Sequence, residues 1–597
     1  SLPFDDSRRL TGSNLFFPGP GAVLEVVRIE MDAALAAHWR ANVARARQHL
    51  GWPPGDASVE RRHAGGTTLA IEAPLDRLFT ATEVNEWALC AALHDRDPTH
   101  WCGLRDALRA AAQQSDPTPV SDDPAEVEPE AALRRFERLA AREARPDLMD
   151  LVDAARRRQL PVLLDDAMLT LGTGKGGRSV PLDELPAVAG LPWESLAAVP
   201  TALVTGSNGK TTTVRLVAAC ARAHGWHAGY CCTDGVFVDD DALEAGDYSG
   251  PAGARRVLRE PRVEAAVLET ARGGILRRGL AVNRADVSVV TNVSADHFGE
   301  YGIHDLDALA DVKLTIASVV RPGGLLVLNA DDAVLRERSH GLGRRYGHVP
   351  AVAWFAADAD ESCLAAHRAG GGATCGVRCG RMLLSWQGIE HDLGSIAAMP
   401  LTVGGLAGYN VANLAGAALA AVGLGIAPAT VADVFARFGA RVADNPGRLM
   451  RFDAGGVRVL VDYAHNPDGL SGLLEVARGL RVDGGRLGLV LGHAGNRDDR
   501  AIGQLAETAA RFAPSLVVVK ELDAYRRGRA VGEVPRILRA ALLRSGLPES
   551  VLRDSPSEIA AVHAALEWAR PGDVLALPVH GLAARAEVLE LLQQCGK

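Results

Sequence analysis

Short apolar runs and helix-like stretches alternate through two long blocks of the chain. In the first block, residues 199–445, apolar runs lie at 201–204, 265–268, 287–290 and 324–328, and a helical pattern follows the first run at 210–225. In the second block, residues 446–597, strands are expected at 457–462, 486–491, 515–520 and 573–578. This alternation predicts parallel sheets covered by helices, with ligands at the carboxyl ends of the strands. The expected fold class is therefore α/β, with two successive α/β domains.

The first 160 residues follow a different pattern. A strand-like stretch at 22–27 precedes a helical periodicity at 131–158, and an acidic, proline-rich loop is expected at 115–130. These features predict an α+β domain without a catalytic motif. Residues 161–198 then form a short linker. Its glycine-rich turn, 171–177, is either a phosphate loop or a structural turn, and we favour the turn because P-loop spacing and a following helix are lacking.

Composition narrows the class of protein. The 597 residues are 48% hydrophobic and carry a net charge of −9, which disfavours a nucleic-acid-binding protein. Nine cysteines without a C-x-x-C pair are typical of a reducing compartment. The absence of an apolar run long enough to span a bilayer, and of a basic, apolar leader after Ser1, predicts a cytoplasmic protein without membrane association.

The strongest chemical motif joins the first strand of the central block to its first helix. It reads Thr-Gly-Ser-Asn-Gly-Lys-Thr-Thr at 205–212. Backbone N–H groups around such glycines, together with the positive end of a helix, favour phosphate binding. The expected nucleotide-binding residues here are Gly206, Ser207, Asn208, Gly209, Lys210, Thr211 and Thr212. Lys210 is expected to reach the β- and γ-phosphates, and Thr211 to bind Mg²⁺.

This motif resembles the P-loop of the Mur ligases and folylpolyglutamate synthetases, and five further motifs follow in that family's order. They are Glu-Thr-Ala-Arg-Gly-Gly at 269–274, Asn-Val-Ser-Ala-Asp-His at 292–297, Asn-Ala-Asp-Asp at 329–332, Gly-Tyr-Asn-Val-Ala-Asn at 408–413 and Asp-Tyr-Ala-His-Asn-Pro at 462–467. Six motifs in order indicate a central P-loop ATPase domain and a C-terminal Rossmann-like domain.

The resemblance implies a set of site residues with ATP and Mg²⁺ as cofactors. Thr211 and Glu269 would bind one metal ion and His297 a second. The nucleotide contacts implied by the resemblance are Asn329, Asp332, Asn410, Asn413, Arg448, Asp462, His465 and Asn466. Lys210, His297, Lys313 and Arg448 are the expected catalytic residues. Lys313 would be carbamylated and bind the second metal; the alternative is an ordinary solvated charge.

Segments at 233–236, 246–251, 266–280 and 526–533 resemble the Mur ligase part of cyanophycin synthetases in particular. In those enzymes an ATP-grasp domain precedes the Mur part and adds a second residue type. Fewer than forty residues stand at that position here, too few for such a domain, so alternating polymerisation by this chain is not expected. Arg272 and Arg277 are candidate contacts for an acidic substrate, although either residue could instead pair with a protein carboxylate.

The resulting hypothesis is an ATP-dependent ligase that joins a carboxylate to the amine of an amino acid. Its expected substrates are amino acids or short acidic peptides, and the family resemblance implies a homo-oligomer, a dimer or tetramer. Two alternatives stay open: a polyglutamate-type ligase with another acceptor, and a nucleotide-binding scaffold without catalysis. Cysteines and a histidine at 363–379 have no standard zinc spacing, and a β-hairpin insertion with structural cysteines is expected at 360–395.

Overall fold

The computed structural model describes residues 2–53, 58–115, 125–295 and 298–595. Part of the loop expected at 115–130, and the Asp-His pair that ends the 292–297 motif, lie outside these residues. The described chain falls into two compact units. The first contains residues 1–206, 226–326 and 332–351, and the second contains residues 207–225, 327–331 and 352–597. The domain boundaries at 160, 198 and 445 stay a prediction.

The N-terminal part of the first unit is a four-stranded antiparallel sheet with helices packed on it. The strands lie in the order β1–β2–β4–β3. The elements are β1 (Phe4–Leu10), β2 (Gly21–Val26), α1 (Ala33–His49), β3 (Ser58–His63), β4 (Gly66–Glu72), α2 (Leu78–Arg96), α3 (Leu104–Ser115), α4 (Pro129–Glu143) and α5 (Pro146–Arg157). Alternate residues of β2 and β4 bury their side chains against α1 and α2, so the expected α+β arrangement and the strand near 22–27 are confirmed.

The helical periodicity expected at 131–158 corresponds to two helices, α4 and α5, which are separated by Ala144 and Arg145. Pro146 explains the break, because proline disfavours helical geometry in the residue before it and is well tolerated in the first turn of a new helix.

The segment 161–198 forms a small three-stranded antiparallel sheet of β5 (Val162–Leu164), β6 (Met168–Leu171) and β7 (Arg178–Pro181). In the glycine-rich turn, the N–H groups of Thr173 and Lys175 donate to the carbonyls of Ala197 and Val263, and those of Gly176 and Gly177 donate within the turn. The Lys175 ammonium pairs with Glu264 at 2.9 Å. Since these donors are already used, the turn is structural, as the sequence favoured, and is not a phosphate loop.

The central segment alternates strands and helices along the chain. Its strands are β8 (Thr201–Thr205), β9 (Ala228–Cys232), β10 (Gly235–Val238), β11 (Asp241–Ala245), β12 (Ala265–Glu269), β13 (Ala285–Val290), β14 (Val320–Asn329), β15 (Ala351–Asp358), β16 (Thr374–Arg378), β17 (Arg381–Trp386) and β18 (Ile389–Ser395). Its helices are α6 (Lys210–His224), α7 (Pro251–Leu258), α8 (Arg272–Arg278), α9 (Leu306–Leu314), α10 (Ala333–Ser339), α11 (Leu342–Tyr346), α12 (Ser362–Ala369), α13 (Gly408–Gly423) and α14 (Pro428–Phe435).

In the first unit the central strands lie in the order β11–β10–β9–β12–β8–β13–β14, with β9, β12, β8 and β13 parallel. Parallel pairing brings the carboxyl ends of β8, β12 and β13 to one edge, where the motifs begin. In the second unit, β15 runs parallel to β16, and β16, β17 and β18 form an antiparallel meander. This meander is the insertion expected near 360–395.

The C-terminal part of the second unit is a six-stranded sheet with helices on both faces. It contains β19 (Met450–Ala454), β20 (Val457–Asp462), α15 (Pro467–Leu480), β21 (Leu487–Leu491), α16 (Asp499–Ala510), β22 (Leu516–Lys520), α17 (Glu533–Arg544), β23 (Leu552–Ser555), α18 (Glu558–Trp568), β24 (Val574–Pro578) and α19 (Leu582–Cys595). The order is β19–β20–β24–β21–β22–β23, and all strands except β19 are parallel. Helices α15, α16 and α17 cover one face, and α18 and α19 cover the other. The α/β expectation is thereby confirmed for both blocks.

No helix in the described part of the chain is both long and apolar enough to span a bilayer.

A buried carboxyl in α2 makes the stability of the N-terminal region depend on pH. Burial, reinforced by the nearby Glu83, raises the pKa of Glu86 to about 7 against the opposing effects of Ser7 and Arg135. A raised folded-state pKa means that the folded chain holds a proton that the unfolded chain releases. Between pH 4.5 and about 7, the free energy of unfolding therefore falls as pH rises, by at most about 3 kcal/mol.

We expect Glu86→Gln to raise the urea midpoint at pH 8, because the neutral amide avoids the buried charge, and to change it little at pH 4.5. The matched control is Asp150→Asn in α5, an exposed carboxylate that should show no such difference between the two pH values. Equal destabilisation of Glu86→Gln at both pH values would contradict the assignment.

Candidate functional site

The loop between β8 and α6 is shaped by two glycines with left-handed backbones. Gly206 has φ +152°, and a Cβ built there would lie 1.8 Å from the Thr291 hydroxyl oxygen. Gly209 has φ +83° and stands at the N-cap of α6; its Cβ would lie 2.1 Å from the amide oxygen of Asn413. Side chains larger than hydrogen are therefore excluded on steric and conformational grounds, and the backbone is free to approach a phosphate closely.

Asn410 and Asn413 lie on the first turns of α13 and are both buried. Asn413 donates to the Asn410 amide oxygen at 3.1 Å, and Asn410 donates to the Leu401 carbonyl at 3.0 Å. Both residues were expected to bind the nucleotide. In the structure they form the wall behind Gly209 and thereby fix the loop.

Residues 206–212, the loop after β8 and the first residues of α6, are the proposed phosphate loop. The side chains of three residues of the second unit contact it. Asn466 donates to the Asn208 amide oxygen at 2.9 Å, and Asn445 donates to the Thr212 hydroxyl at 3.1 Å. Arg448 lies 3.4 Å from the Thr211 hydroxyl and stacks on the ring of Tyr463, with its guanidinium carbon 4.2 Å from the ring centroid. The expected residues Arg448 and Asn466 are therefore brought to the loop, and Asn445 and Tyr463 are additions that the sequence did not identify.

Asp462 organises the chain around Arg448. Its two carboxylate oxygens accept the N–H groups of Leu449 at 2.7 Å and Ala464 at 2.8 Å. Burial raises the pKa of Asp462 above its usual range, while Arg448 and the backbone donors act in the opposite direction. His465, in the same loop, approaches the Tyr463 carbonyl through Nδ1 at 3.3 Å and its ring packs against the edge of Tyr463.

Asn329 and Asp332, two of the expected nucleotide contacts, bond to nearby backbone groups. Asn329, at the end of β14, accepts the N–H of Asp331 at 3.0 Å. Asp332, in the first unit, accepts the Val293 N–H at 2.6 Å and caps α10 through two further backbone donors. Asp332 thus ties the segment that follows β13 to α10.

The first unit also buries two groups from the metal set. Glu269 ends β12, is about 1% exposed, and accepts the Thr233 hydroxyl at 3.1 Å. Lys313 lies in α9 and is about 3% exposed. The alternative interpretation of Lys313 as a solvated charge is therefore wrong. His297 lies outside the described residues.

Each of the two candidate substrate arginines has a partner within the protein. Arg272 is buried and pairs with Glu300 at 2.6 Å, so the alternative of a protein carboxylate partner holds for it. Arg277 is exposed and donates to the Tyr301 hydroxyl at 2.8 Å.

The loop that carries Glu300 and Tyr301 is held from the N-terminal sheet of the same unit. Arg61 donates to the Gly302 carbonyl at 3.0 Å, and the Arg8 guanidinium carbon lies 4.7 Å from the centroid of the Tyr301 ring. The His63 ring stacks on His304 at 5.3 Å between centroids. The N-terminal part therefore supports the chain between the 292–297 motif and α9.

The cysteines at 363–379 do not form a zinc site in the structure. His367 bonds to the Val352 carbonyl at 2.8 Å, and Cys375 is fully buried in β16. Among residues 2–53, 58–115, 125–295 and 298–595, no group of three or more His, Cys, Asp or Glu side chains is arranged to hold a metal ion.

We expect Gly209→Ala to weaken Mg·ADP binding by about tenfold or more, because the methyl group would collide with Asn413 and displace the loop. The measurement is titration calorimetry on the purified variant. Gly546→Ala is the control: Gly546 also has a positive φ, +92°, but its Cβ would meet no atom within 4 Å. Both variants carry backbone strain of about 1–2 kcal/mol, so only a difference in nucleotide affinity reports on the loop. Equal affinities would contradict the expectation.

Comparison with known proteins places these motifs in a family. The model of the Mur ligase middle domain matches residues 204–370, and that of the Mur ligase, glutamate ligase domain matches residues 447–577. The first match contains residues 206–212, Glu269 and Asp332, and the second contains Arg448 and the loop 462–466, while Asn410, Asn413 and Asn445 lie between the two matches.

Several relatives share this region. Cyanophycin synthetase from Crocosphaera subtropica is 37% identical over 352 residues, which are 59% of this chain and 39% of that protein. The enzyme of that name from Synechocystis sp. is 35% identical over 371 residues, 62% of this chain and 41% of that protein. The UDP-N-acetylmuramoyl-L-alanyl-D-glutamate–2,6-diaminopimelate ligase of Corynebacterium efficiens is 29% identical over 386 residues, 62% of this chain and 67% of that protein.

Among solved structures, E. coli FolC in complex with ADP and without folate substrate is 17% identical, with a TM-score of 0.47 over 66% of this chain and 89% of that chain. The chain spans about two fifths of the length of the cyanophycin synthetases that it matches. By the two family-model matches, residues 204–370 are similar to the Mur ligase middle domain and residues 447–577 to the Mur ligase, glutamate ligase domain.

Proposed function

We propose that this protein is an ATP-dependent ligase that joins a carboxylate to the amine of an amino acid. One observation carries the proposal most directly. Within the second unit, residues at the start of the glutamate ligase domain and just before it, Asn445, Arg448 and Asn466, contact three successive parts of the phosphate loop. A loop used only as a structural turn would not need a cation and two amides directed at its hydroxyl and amide groups.

The features of the phosphate loop are suited to a nucleoside triphosphate. Gly206 and Gly209 give the loop a positive-φ backbone without adding side chains, α6 directs its N-terminal dipole towards the loop, and the Lys210 ammonium is held near the Ser207 carbonyl at 3.4 Å. These features together are a phosphate-binding arrangement. Lys210 and Arg448 would neutralise charge that develops on the transferred phosphoryl group.

The residue types proposed as Mg²⁺ ligands are chemically suitable. Thr211 in the second unit and Glu269 in the first each offer an oxygen donor, which Mg²⁺ prefers, and the motifs are the ground for proposing them. When bound, Mg²⁺ would neutralise phosphate charge. His297 stays a proposed ligand on the strength of its motif. A carbamate on Lys313 would convert a buried cation into an oxygen ligand, which is consistent with the burial of that side chain.

The proposed reaction has two steps. The substrate carboxylate oxygen attacks the γ-phosphorus of ATP, and ADP leaves, giving an acyl phosphate. The amine nitrogen then attacks the carbonyl carbon, inorganic phosphate leaves, and the nitrogen loses a proton. The protein contributes chiefly positioning and charge neutralisation, through Lys210, Thr211 and Arg448.

The substrates are proposed from the relatives and from the 161–198 segment. Cyanophycin synthetases and a diaminopimelate-adding ligase are both among the relatives, so an amino acid or a short acidic peptide is the favoured substrate class. Because 161–198 holds only the β5–β7 sheet, we propose a single ligation or repeated addition of one residue type. A folate-like acceptor and a non-catalytic scaffold are the competing proposals.

Lys210→Ala should lower the rate of phosphate release by about 100-fold or more, because it removes the positive charge at the phosphate loop. The assay measures phosphate release from Mg·ATP across amino acids and short acidic peptides, with products identified by mass spectrometry. The expected product has the summed mass of the two substrates less one water.

The matched control is Lys175→Ala, which removes a lysine from the other glycine-rich turn, where it pairs with Glu264. It should leave phosphate release unchanged. If wild type binds nucleotide but forms no product with any amine and carboxylate tested, the scaffold proposal replaces this one.

The carbamate on Lys313 predicts dependence on dissolved CO₂. Activity should fall in degassed, bicarbonate-free buffer and return when bicarbonate is added, because the carbamate forms reversibly. Lys313→Arg should be weakly active and insensitive to bicarbonate, since a guanidinium does not take up CO₂ in this way. Wild-type activity that is independent of bicarbonate would rule the carbamate out.

A further inference from the structure

Lysine is scarce in this chain, and one lysine is buried far from the phosphate loop. The sequence has five lysines against 59 arginines. Lys175 is an exposed partner of Glu264, while Lys210 and Lys313 belong to the proposed site. Lys520, at the end of β22, has a fully buried side chain and no role in the mechanism above.

The Lys520 side chain crosses the sheet edge to reach its partners. Its ammonium pairs with the Glu558 carboxylate at the start of α18 and donates to the Pro578 carbonyl, at the end of β24, at 2.5 Å. Strand β21 lies between β22 and β24, and Gly492 follows β21. A Cβ at Gly492 would lie 2.7 Å from Lys520 Cγ and 2.8 Å from Cε, so this glycine opens the path for the lysine stem.

Glu558 is the centre of the network. Besides the Lys520 ammonium, its carboxylate accepts the N–H of His580 at 2.9 Å and of Gly581 at 2.7 Å, just before α19. Burial would raise the pKa of Glu558, but His580 and Lys520 outweigh it and hold that pKa well below the ordinary range. The buried carboxylate is therefore ionised and its charge is compensated.

The network ends at the loop 462–466, which follows β20. His580 approaches the Ala464 carbonyl through Nε2 at 3.1 Å, and its ring packs edge-on against Tyr463 at 5.4 Å between centroids. A carbonyl only accepts, so the proton lies on Nε2. Burial, followed by the Lys520 charge, lowers the pKa of His580, while the Glu558 carboxylate, 3.6 Å from Nδ1, acts in the opposite direction.

The same loop reaches the phosphate loop within two residues. Tyr463 carries the Arg448 guanidinium on its ring, and Asn466 donates to Asn208. A second route leads through α19: Arg585 on that helix fills the space beside Gly447, whose Cβ would lie 2.2 Å from Arg585 Cδ.

We propose that Lys520, Glu558 and His580 form a positioning network that sets the conformation of the loop 462–466, and through it the affinity for the nucleotide. The residues themselves do not touch substrate. The network acts on nucleotide binding and on KM for ATP, and it changes kcat less. This proposal requires one part of the proposed function, namely that a nucleotide binds at the phosphate loop.

Two amide replacements separate the roles of the imidazole nitrogens. Glutamine places its amide nitrogen near the position of Nε2 and can still donate to Ala464, whereas asparagine places it near Nδ1 and cannot. With Mg·ADP as the probe, we expect His580→Gln to bind within about threefold of wild type. We expect His580→Asn to bind about tenfold more weakly, the effect of one lost hydrogen bond. KM for ATP should follow the same order.

The control is His563→Asn, an exposed histidine on α18 that should leave affinity unchanged. Equal ADP affinities for the Gln and Asn variants would overturn the proposal, because the Nε2 donor would then have no influence on the nucleotide. Melting temperatures of both variants are measured as well. A general loss of stability would lower the melting temperature and the ADP affinity of both variants, whichever position the amide nitrogen occupies. If wild type itself fails to bind ADP, it is the proposed function that fails.

A measurement on wild type covers the case in which His580→Asn does not fold. In a ¹⁵N-histidine spectrum, the His580 signal is assigned by its disappearance in His580→Gln. We expect a proton on Nε2 whose ¹⁵N shift changes when Mg·ADP binds, since the Ala464 carbonyl is its acceptor. An Nε2 without a proton, or a signal that does not respond to bound ADP, would overturn the proposal.

Discussion

The phosphate binding proposed for this chain depends on a loop, residues 206–209, that has no large side chains with which to hold its own shape. Gly206 and Gly209 must adopt left-handed backbones, and a glycine-rich segment has more conformational freedom to lose than any other. The loop is therefore fixed from outside. Thr291 closes in on Gly206 and Asn413 on Gly209, each leaving no room for a methyl group. Every proposed role for Lys210 and Thr211 depends on this support.

Within the second unit, side chains from its C-terminal part also hold the phosphate loop in place. Asn466, Asn445 and Arg448 reach the amide and hydroxyl groups of the phosphate loop. Their positions are in turn set by Asp462, which fixes the backbone next to Arg448 and before Asn466. Several of these residues therefore hold neighbouring segments in place: the two amides bind side chains of residues 208 and 212, and the Asp462 carboxylate binds backbone N–H groups.

Several charged side chains are buried in this fold, and each needs a partner to offset the cost of burial. Burying a carboxylate or an ammonium is costly unless it is paired and hydrogen-bonded. Glu269, Lys313 and Glu558 nevertheless lie in the interior, and so does Lys520, in a chain that uses arginine almost everywhere else. A slim ammonium stem can pass over Gly492 to the carboxylate beyond it, whereas the planar guanidinium of arginine is bulkier. Geometry, more than charge, explains this choice of residue.

The sequence by itself determined the α/β class, most strand positions and the phosphate loop, because hydrophobic periodicity and glycine spacing are local properties. Strands β8, β12, β20 and β22 lie within a residue or two of their expected positions. Even so, glycine content did not separate the two glycine-rich turns on its own. At 172–177 the backbone donors are used by Ala197 and Val263, whereas at 206–209 the glycines are shaped around Thr291 and Asn413.

Only the tertiary structure showed those partners, as it showed that Arg272 pairs with Glu300 and that Lys520 reaches His580 through Glu558. Such pairings join residues far apart in the chain, and parallel strand order decides which of them meet at one sheet edge. No local pattern records that order, because it is set by packing of whole helices and strands.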